Sequence, residues 1–168
     1  MGDNNGMTPK LPIKVKLNGG MMPTKATPFD AAYDIRVPED VTLNEGRQTI
    51  DMKFALEIPK GYAAIIQPRS GFSAKGIECV GANGSKTRID GDVKIGLIDC
   101  CYRNNVGVTI HVREHHASAN VLYPNKIAKG TRIAQMRIVE VPDTELIEVD
   151  ELDMTNDRGG GFGHTGVK

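Results

Sequence analysis

Two segments of the chain carry candidate functional residues, one for binding an anion and the other for supplying a general base. Pro68-Arg69-Ser70-Gly71 follows the apolar run 63–66 and shortly precedes Lys75. Because it comes directly off an apolar run, this segment can present a guanidinium, a hydroxyl and exposed amides to an anion. Taken alone, the same residues are also typical of a plain surface turn.

The second segment, residues 96–103, combines an acid with an aromatic ring. Asp99 stands three positions before Tyr102 at the end of an apolar stretch. An aspartate there could act as a general base, and a tyrosine could form a flat wall for a ring. Taken alone, the pair is more typical of a turn acid and an ordinary half-buried tyrosine.

Three further segments supply weaker candidates. Asp34 follows small residues in the segment 30–35, and the segment 130–135 holds Arg132 and Gln135 as candidate ligand contacts. Residues 158–166 set an arginine, a phenylalanine, a histidine and a threonine among glycines. Composition alone favours a loose tail there. However, the accessible backbone N–H groups of the glycines and the guanidinium of the arginine could also bind a polyphosphate.

The elements that must position these residues are predicted to be β-strands. Apolar and polar residues alternate from Thr49 to Ile58, which is typical of a strand with one buried face. No window of a dozen residues keeps helical spacing, and Pro and Gly separate the apolar runs. Further β-rich runs cover residues 13–17, 62–67, 106–112, 133–141 and 146–149.

This pattern predicts an all-β fold, a barrel or jelly roll. We expect residues 1–152 to form one domain, with residues 1–9 disordered. We expect residues 153–168, in which five of the last ten residues are glycine, to form a flexible arm.

Composition limits the classes of function. The chain has 168 residues with 21 basic and 21 acidic side chains, so it lacks the basic excess of sequence-independent nucleic-acid binding. Its three cysteines cannot form the paired framework of a small secreted domain, so we expect a reducing compartment. No apolar run is long enough for a signal core or a membrane span. We therefore expect a soluble, cytoplasmic protein without a membrane or nucleic-acid partner.

In this order, the five segments resemble the blocks of the trimeric, all-β dUTP diphosphatase family. Each block is weak evidence alone, but five in sequence are specific. The resemblance implies a distorted jelly roll with a Gly-rich C-terminal arm that closes over the active site. It also implies hydrolysis of dUTP to dUMP and pyrophosphate, which limits uracil in DNA and supplies dUMP for dTTP synthesis. The blocks, which span residues 26–166, are 30–35, 68–71 with Lys75, 96–103, 130–135 and 158–166.

The resemblance also implies roles for individual residues. Asp99 matches the acid that orients and deprotonates the water attacking the α-phosphorus. Tyr102 matches the residue that packs on the deoxyribose and leaves no space for a 2′-hydroxyl. Mg²⁺ is expected to be held by the phosphates and by waters, with no direct protein ligand. Ser70 and Gly71 match phosphate contacts near the scissile bridge, and Arg69 and Gln135 match groups that hold the triphosphate chain and its water shell. Asp34 matches an acid that organises the site.

The arm has its own implied roles. Phe162 is expected to stack on uracil, while Arg158 and Thr165 reach the terminal phosphate. In the family this arm comes from a neighbouring subunit, so the resemblance implies a homotrimer in which three chains build each site.

The chain departs from the family pattern at several positions. Cys101 stands where a second aspartate is usual, and Asn104 where glycine is common. The interval between Lys75 and Asp99 is longer than usual because of an extra segment at residues 81–92, called here the insert. Between Arg158 and Phe162 the tail has three residues, one fewer than usual. The cysteines at 79, 100 and 101 are interpreted as small apolar fillers, and a metal site at His115 and His116 is disfavoured.

Two alternatives stay open on sequence alone. The first is a catalytically weak regulatory protein of the same fold that binds dUTP and presents the insert to a partner. The second is a relative with dCTP deaminase chemistry, for which Glu78 is the nearest glutamate to the second block. Selectivity among dUTP, dTTP and dCTP is likewise open.

Overall fold

A computed structural model describes residues 10–80, 84–113 and 125–157. Twelve strands and one short helix lie within these ranges. In chain order they are β1 (Lys14–Leu17), β2 (Tyr33–Arg36), β3 (Val41–Leu43), β4 (Gly46–Glu57), β5 (Tyr62–Pro68), α1 (Ser70–Lys75), β6 (Ile77–Val80), β7 (Lys86–Ile89), β8 (Gly91–Val93), β9 (Gly96–Ile98), β10 (Asn105–Val112), β11 (Asn125–Ile127) and β12 (Arg132–Glu140).

The strands form three antiparallel sheets of four strands each, in the orders β1-β4-β10-β8, β3-β11-β6-β7 and β2-β12-β5-β9. The all-β prediction is confirmed. Over the described ranges the sheets stay separate and do not close into a barrel. Within the same ranges, no helix combines the length and the apolar character needed to cross a lipid bilayer.

The core lies on the inner faces of the sheets. β4 and β10 pair over most of their length, with Val108 opposite Ile50. Alternate side chains are buried along β10 and over residues 50–54 of β4, as the alternation in the sequence predicts, and Ala55 of β4 is buried as well. Burying each of these aliphatic or aromatic side chains contributes about 1.5–3 kcal/mol. The largest of the fully buried side chains include Phe54, Met52, Leu56, Ile35, Leu43, Ile66, Ile110 and Ile133.

Two local predictions fail. The run 146–149 forms no strand, and its apolar side chains Leu146, Ile147 and Val149 are exposed. Residues 70 and 71 begin the helix α1 where the sequence is also typical of a plain turn. A helix of six residues is too short to show a helical period in the sequence.

The described part of the insert joins two sheets. β7 lies at the edge of the second sheet, where it pairs with β6. β8 follows directly and lies at the edge of the first sheet, where it pairs with β10. The insert therefore extends the folded body on the side of α1.

Candidate functional site

A buried carboxylate with three partners forms the centre of the candidate site. Asp34 in β2 is 7% exposed, and it is the charged residue found buried in the described ranges. Its carboxylate accepts hydrogen bonds from Arg69 Nε at 2.9 Å, Arg132 Nη1 at 3.0 Å and Gln135 Nε2 at 3.4 Å. We call these four residues the Asp34 cluster.

An irregularity in the sheet explains how β12 supplies two of these partners. β12 lies between β2 and β5, and Gln135 is directly opposite Asp34. Residues three apart on a regular strand point to opposite faces, so Arg132 and Gln135 would not share one partner. The register of β12 against β2 shifts between Arg132 and Ala134, which changes the phase of the strand. Both side chains therefore reach the same carboxylate.

The arginines keep Asp34 charged. Burial by itself raises the pKa of the Asp34 carboxyl, but the hydrogen bond from Arg132, the charge of Arg69 and the hydrogen bond from Gln135 outweigh it. The pKa consequently lies below its ordinary value of 3.8. In return, the carboxylate orients both guanidinium groups. Each guanidinium has five N–H donors, so the donors that do not bind Asp34 can be presented to an anion.

The phosphate-binding candidates lie beside this cluster. Arg69 directly follows β5 and precedes α1, and Ser70 and Gly71 are exposed at the start of that helix. Arg69, Gly71 and Arg132 also line a cavity of about 350 Å³. The structure thus brings together five sequence-predicted residues, namely Asp34, Arg69, Ser70, Gly71 and Gln135.

Asp99 and Tyr102 form a separate exposed turn after β9. The amide of Tyr102 donates to the Asp99 carbonyl at 3.1 Å, which closes a β-turn over the two cysteines. The Tyr102 hydroxyl donates to the Asn105 carbonyl at 3.1 Å, so the ring is held at the turn although it is 41% exposed. The Asp99 carboxylate is exposed.

One chain does not bring Asp99 to the Asp34 cluster. β9 runs antiparallel to β5, with Ile98 opposite Ala64, so Asp99 extends beyond Ala64 toward the start of β5. Arg69 lies five positions past Ala64 in the other direction, about 17 Å away at the rise of an extended strand. The base candidate and the phosphate-binding candidates therefore occupy opposite ends of the same strand pair.

Other predicted residues have different outcomes. Arg158, Phe162 and Thr165 lie outside the described residues, as do His115 and His116. Cys79 is buried as predicted, and its burial raises the pKa of its thiol to about 11. Cys101 is exposed, so its interpretation as an apolar filler is wrong. Among the described residues, no group of His, Cys, Asp and Glu is arranged to hold a metal ion.

Arg132 is more central than the sequence indicates. The sequence marks Arg132 only as a weak candidate ligand contact, whereas the structure makes this residue a main partner of Asp34. The strand irregularity that turns Arg132 toward Asp34 has no signature in the residues 132–135 themselves.

An antiparallel all-β fold in which a buried carboxylate orients two arginines beside an exposed Ser-Gly helix start belongs to the class of proteins suited to bind an anion such as a phosphate. The family model for dUTPase matches residues 19–166. The chain belongs to the dUTPase family.

Individual relatives agree with this assignment. The deoxyuridine 5′-triphosphate nucleotidohydrolase of Thermobifida fusca (strain YX) is 36% identical over 147 residues, which cover 86% of this chain and 72% of that protein. The corresponding protein of Arabidopsis thaliana is 32% identical, covering 98% of this chain and 92% of that protein. The solved structure of the Staphylococcus bacteriophage 80alpha dUTPase with dUpNHpp has a TM-score of 0.74 and 29% identity, covering 94% of this chain and 100% of that one.

The protein is therefore an enzyme that hydrolyses dUTP, a dUTP diphosphatase. The comparisons do not favour the alternatives of a regulatory nucleotide-binding protein or a dCTP deaminase relative.

Proposed function

We propose that this enzyme cleaves dUTP between the α- and β-phosphates at a site shared between the chains of a homotrimer. The observation that carries the proposal is the separation of Asp99 from Arg69 along β5. It is about 20 Å, the rise of the six positions from Ala63, which the register places opposite Asp99, to Arg69. A single bound nucleotide that needs both residues must receive them from different chains.

The Asp34 cluster forms the phosphate side of the proposed site. Asp34 stays ionised and holds Arg69 and Arg132 in place, while their remaining N–H groups face the substrate. Ser70 and Gly71 contact the phosphates near the scissile bridge, and Gln135 helps to hold the chain and its water. Because these groups are fixed before substrate binds, little reorganisation is needed when the transition state forms.

Asp99 and Tyr102 form the water side of the proposed site. Asp99 accepts a proton from the water that attacks the α-phosphorus, and its exposed position after β9 leaves its carboxylate free to do so. Tyr102 packs on the deoxyribose. Its hydroxyl bond to the Asn105 carbonyl holds the ring where a 2′-hydroxyl would clash, so UTP is excluded.

The arm supplies the remaining contacts in this proposal. Phe162 stacks on uracil, and Arg158 and Thr165 reach the terminal phosphate from a third chain. Closing the arm excludes water from the site and strengthens the enclosed electrostatic interactions.

Exposed apolar surface supports the trimer. Leu146 is 98% exposed and Ile147 is 74% exposed, in the irregular segment that follows β12. A cluster of exposed apolar side chains often marks a protein–protein interface. An apolar groove of about 210 Å³ offers matching chemistry on the body of a second copy, lined by Leu11, Ile13, Val15, Met22, Met136 and Ile138.

Mg²⁺ fits the proposed site as an ion carried by the substrate. Both oxygens of Asp34 already accept hydrogen bonds from arginine or glutamine, which leaves this carboxylate poorly placed as a direct ligand. When bound, Mg²⁺ would neutralise phosphate charge. A mutant dUTPase from phage phi11 of S. aureus coordinates a structural Mg(II) ion.

Mixing two inactive variants tests the shared site. We expect Asp99→Asn to lower kcat about 10²- to 10⁴-fold, because the amide cannot accept the proton. Arg69→Ala should also abolish most turnover by removing a phosphate contact. When the two variants are co-expressed, random assembly gives about a quarter of the sites both intact residues, so that share of turnover should return. Co-expressed variants that stay inactive in confirmed mixed trimers would place both residues in one chain's site and refute the proposal.

A further inference from the structure

The cavity beside the Asp34 cluster is built partly by the insert. It lies between α1, the β6–β7 pair and the start of β12, and its volume is about 350 Å³. Its floor is apolar and buried, formed by Phe72, Ile77, Ile127 and Ile133. Arg88 of β7 contributes to its wall.

Basic side chains predominate at the rim of this cavity. Four of its lining residues are cationic and one is anionic, namely Arg69, Lys75, Arg88 and Arg132 against Glu78. Asp34 forms ion pairs with both Arg69 and Arg132, so it neutralises part of their positive charge. The rim still has an excess of positive charge, which favours an anion.

Close packing fixes β7 against the end of α1. Gly76 follows α1 with φ +75°, and a Cβ at this position would lie 2.6 Å from the Ile89 carbonyl oxygen. Only glycine allows that approach. Ile89 is buried, so it anchors β7 next to the cavity. The contact between Gly76 and Ile89 therefore fixes the backbone position of the neighbouring residue Arg88.

A shared acid leaves Arg88 able to change partner. Glu78 is directly opposite Arg88 and pairs with its Nη2 at 3.2 Å. Glu78 also pairs with Lys86 Nζ at 3.2 Å. If Arg88 turns to an anion, Glu78 keeps Lys86 as its counter-charge. The pair with Glu78 is also largely open to water, so breaking it costs about 1 kcal/mol or less.

We propose that Arg88, supplied by the insert, is a specificity-determining contact for the terminal phosphate of the nucleotide. Lys75 at the far end of α1 lies five positions from Ser70, about 7.5 Å along the helix, so the basic rim extends away from the start of the helix. A triphosphate whose first phosphate lies near Ser70 can extend along this rim to Arg88. The inference rests on the proposed placement of the phosphates at residues 69–71.

Calorimetric binding of dUpNHpp and dUMP to three proteins tests this contact. Arg88→Ala should weaken dUpNHpp binding about tenfold, as expected for a lost hydrogen bond between charged groups. The Arg88→Ala change should leave dUMP binding unchanged, because dUMP lacks the β- and γ-phosphates. Lys86→Ala is the matched control, since Lys86 lies on the same strand and pairs with the same acid but does not line the cavity. This control should bind dUMP like the wild type and dUpNHpp at most about twofold more weakly, because Glu78 loses only one water-exposed counter-charge.

Several results would overturn the inference. One is wild-type affinity of Arg88→Ala for dUpNHpp, and another is an equal loss in Lys86→Ala, which would indicate a general charge effect. If Arg88→Ala weakened the binding of dUMP as much as that of dUpNHpp, the cause would be a structural disturbance. In that case Arg88→Lys, which keeps the charge, should also fail to restore dUpNHpp binding. Selective weakening of dUpNHpp in a protein with no dUTP turnover would refute the proposed function but support the role of Arg88. Normal turnover with no selective weakening would refute only that role.

Discussion

At the scale of single residues, charge placement explains most of what the site can do. Asp34 is costly to bury, and the two arginines and the glutamine that bind it recover that cost. The same contacts fix the direction of two cationic forks. A residue that stabilises the sheet therefore also prepares the phosphate side of the site.

Replacing Asp34 with asparagine should lower the stability of the fold in a pH-dependent way. The folded-state pKa of Asp34 lies below its unfolded value, so its stabilising effect is complete above about pH 4–5 and is lost as pH falls through the folded pKa. We expect Asp34→Asn to lower the free energy of unfolding by about 1–3 kcal/mol at pH 7. Denaturant unfolding at pH 7 and pH 3 should show the difference from wild type shrinking at the lower pH. A difference that is constant with pH would contradict this assignment.

The exposed Cys101 should make the enzyme sensitive to thiol reagents. Cys101 lies in the turn between Asp99 and Tyr102, whereas Cys79 is buried with its pKa raised to about 11. A maleimide should therefore label Cys101 rapidly at pH 7 and leave Cys79 unlabelled until the protein unfolds. Labelling of Cys101 should reduce turnover by crowding Asp99. Bound dUpNHpp should slow the labelling reaction, because it would cover the same turn. Peptide mass mapping identifies the labelled site, and Cys101→Ser, tested in parallel, should resist this inactivation.

At the scale of elements, the sequence could predict strands that bury one face and could not predict irregularities. β4 and β10 alternate because one face of each packs into the core. The register shift in β12 and the six-residue helix α1 depend on contacts with distant strands. The Asp34 cluster depends on that shift, so its residues could be proposed from the sequence but their geometry could not.

Gly76 offers a test of how β7 is positioned. Its backbone, at φ +75° and ψ −173°, is in a region open almost only to glycine. Gly76→Ala should therefore cost at least about 1–3 kcal/mol, with an added clash against the Ile89 carbonyl. Gly61→Ala is the control, because Gly61 has φ +85° but open space around its missing Cβ. Thermal unfolding should show a larger loss for Gly76→Ala, and only this variant should also weaken dUpNHpp binding. Equal losses in both variants would show that the contact with β7 is unimportant.

At the scale of the whole molecule, the apolar run 146–149 shows what one chain cannot reveal. Its composition predicts a strand, yet within the described ranges it pairs with no other strand. A strand needs a neighbour for its backbone hydrogen bonds, and a single sequence does not show whether that neighbour belongs to another copy. The same limit applies to the proposed site, in which Asp99 and Arg69 would come together only through assembly of the chains.

Charged residues in this segment should therefore separate assembly from folding. Leu146→Asp with Ile147→Asp should leave the β-sheets intact, because these side chains are exposed in the single chain. The double variant should not form the proposed trimer, since two buried carboxylates without partners would each cost several kcal/mol in an apolar interface. Turnover of dUTP should fall with the trimer, and circular dichroism should match the wild type. Glu148→Gln, in the same exposed segment, should keep both the trimer and the turnover. Light scattering coupled to gel filtration measures the assembly directly, and a fully active trimer carrying both aspartates would mean that this segment does not join the chains.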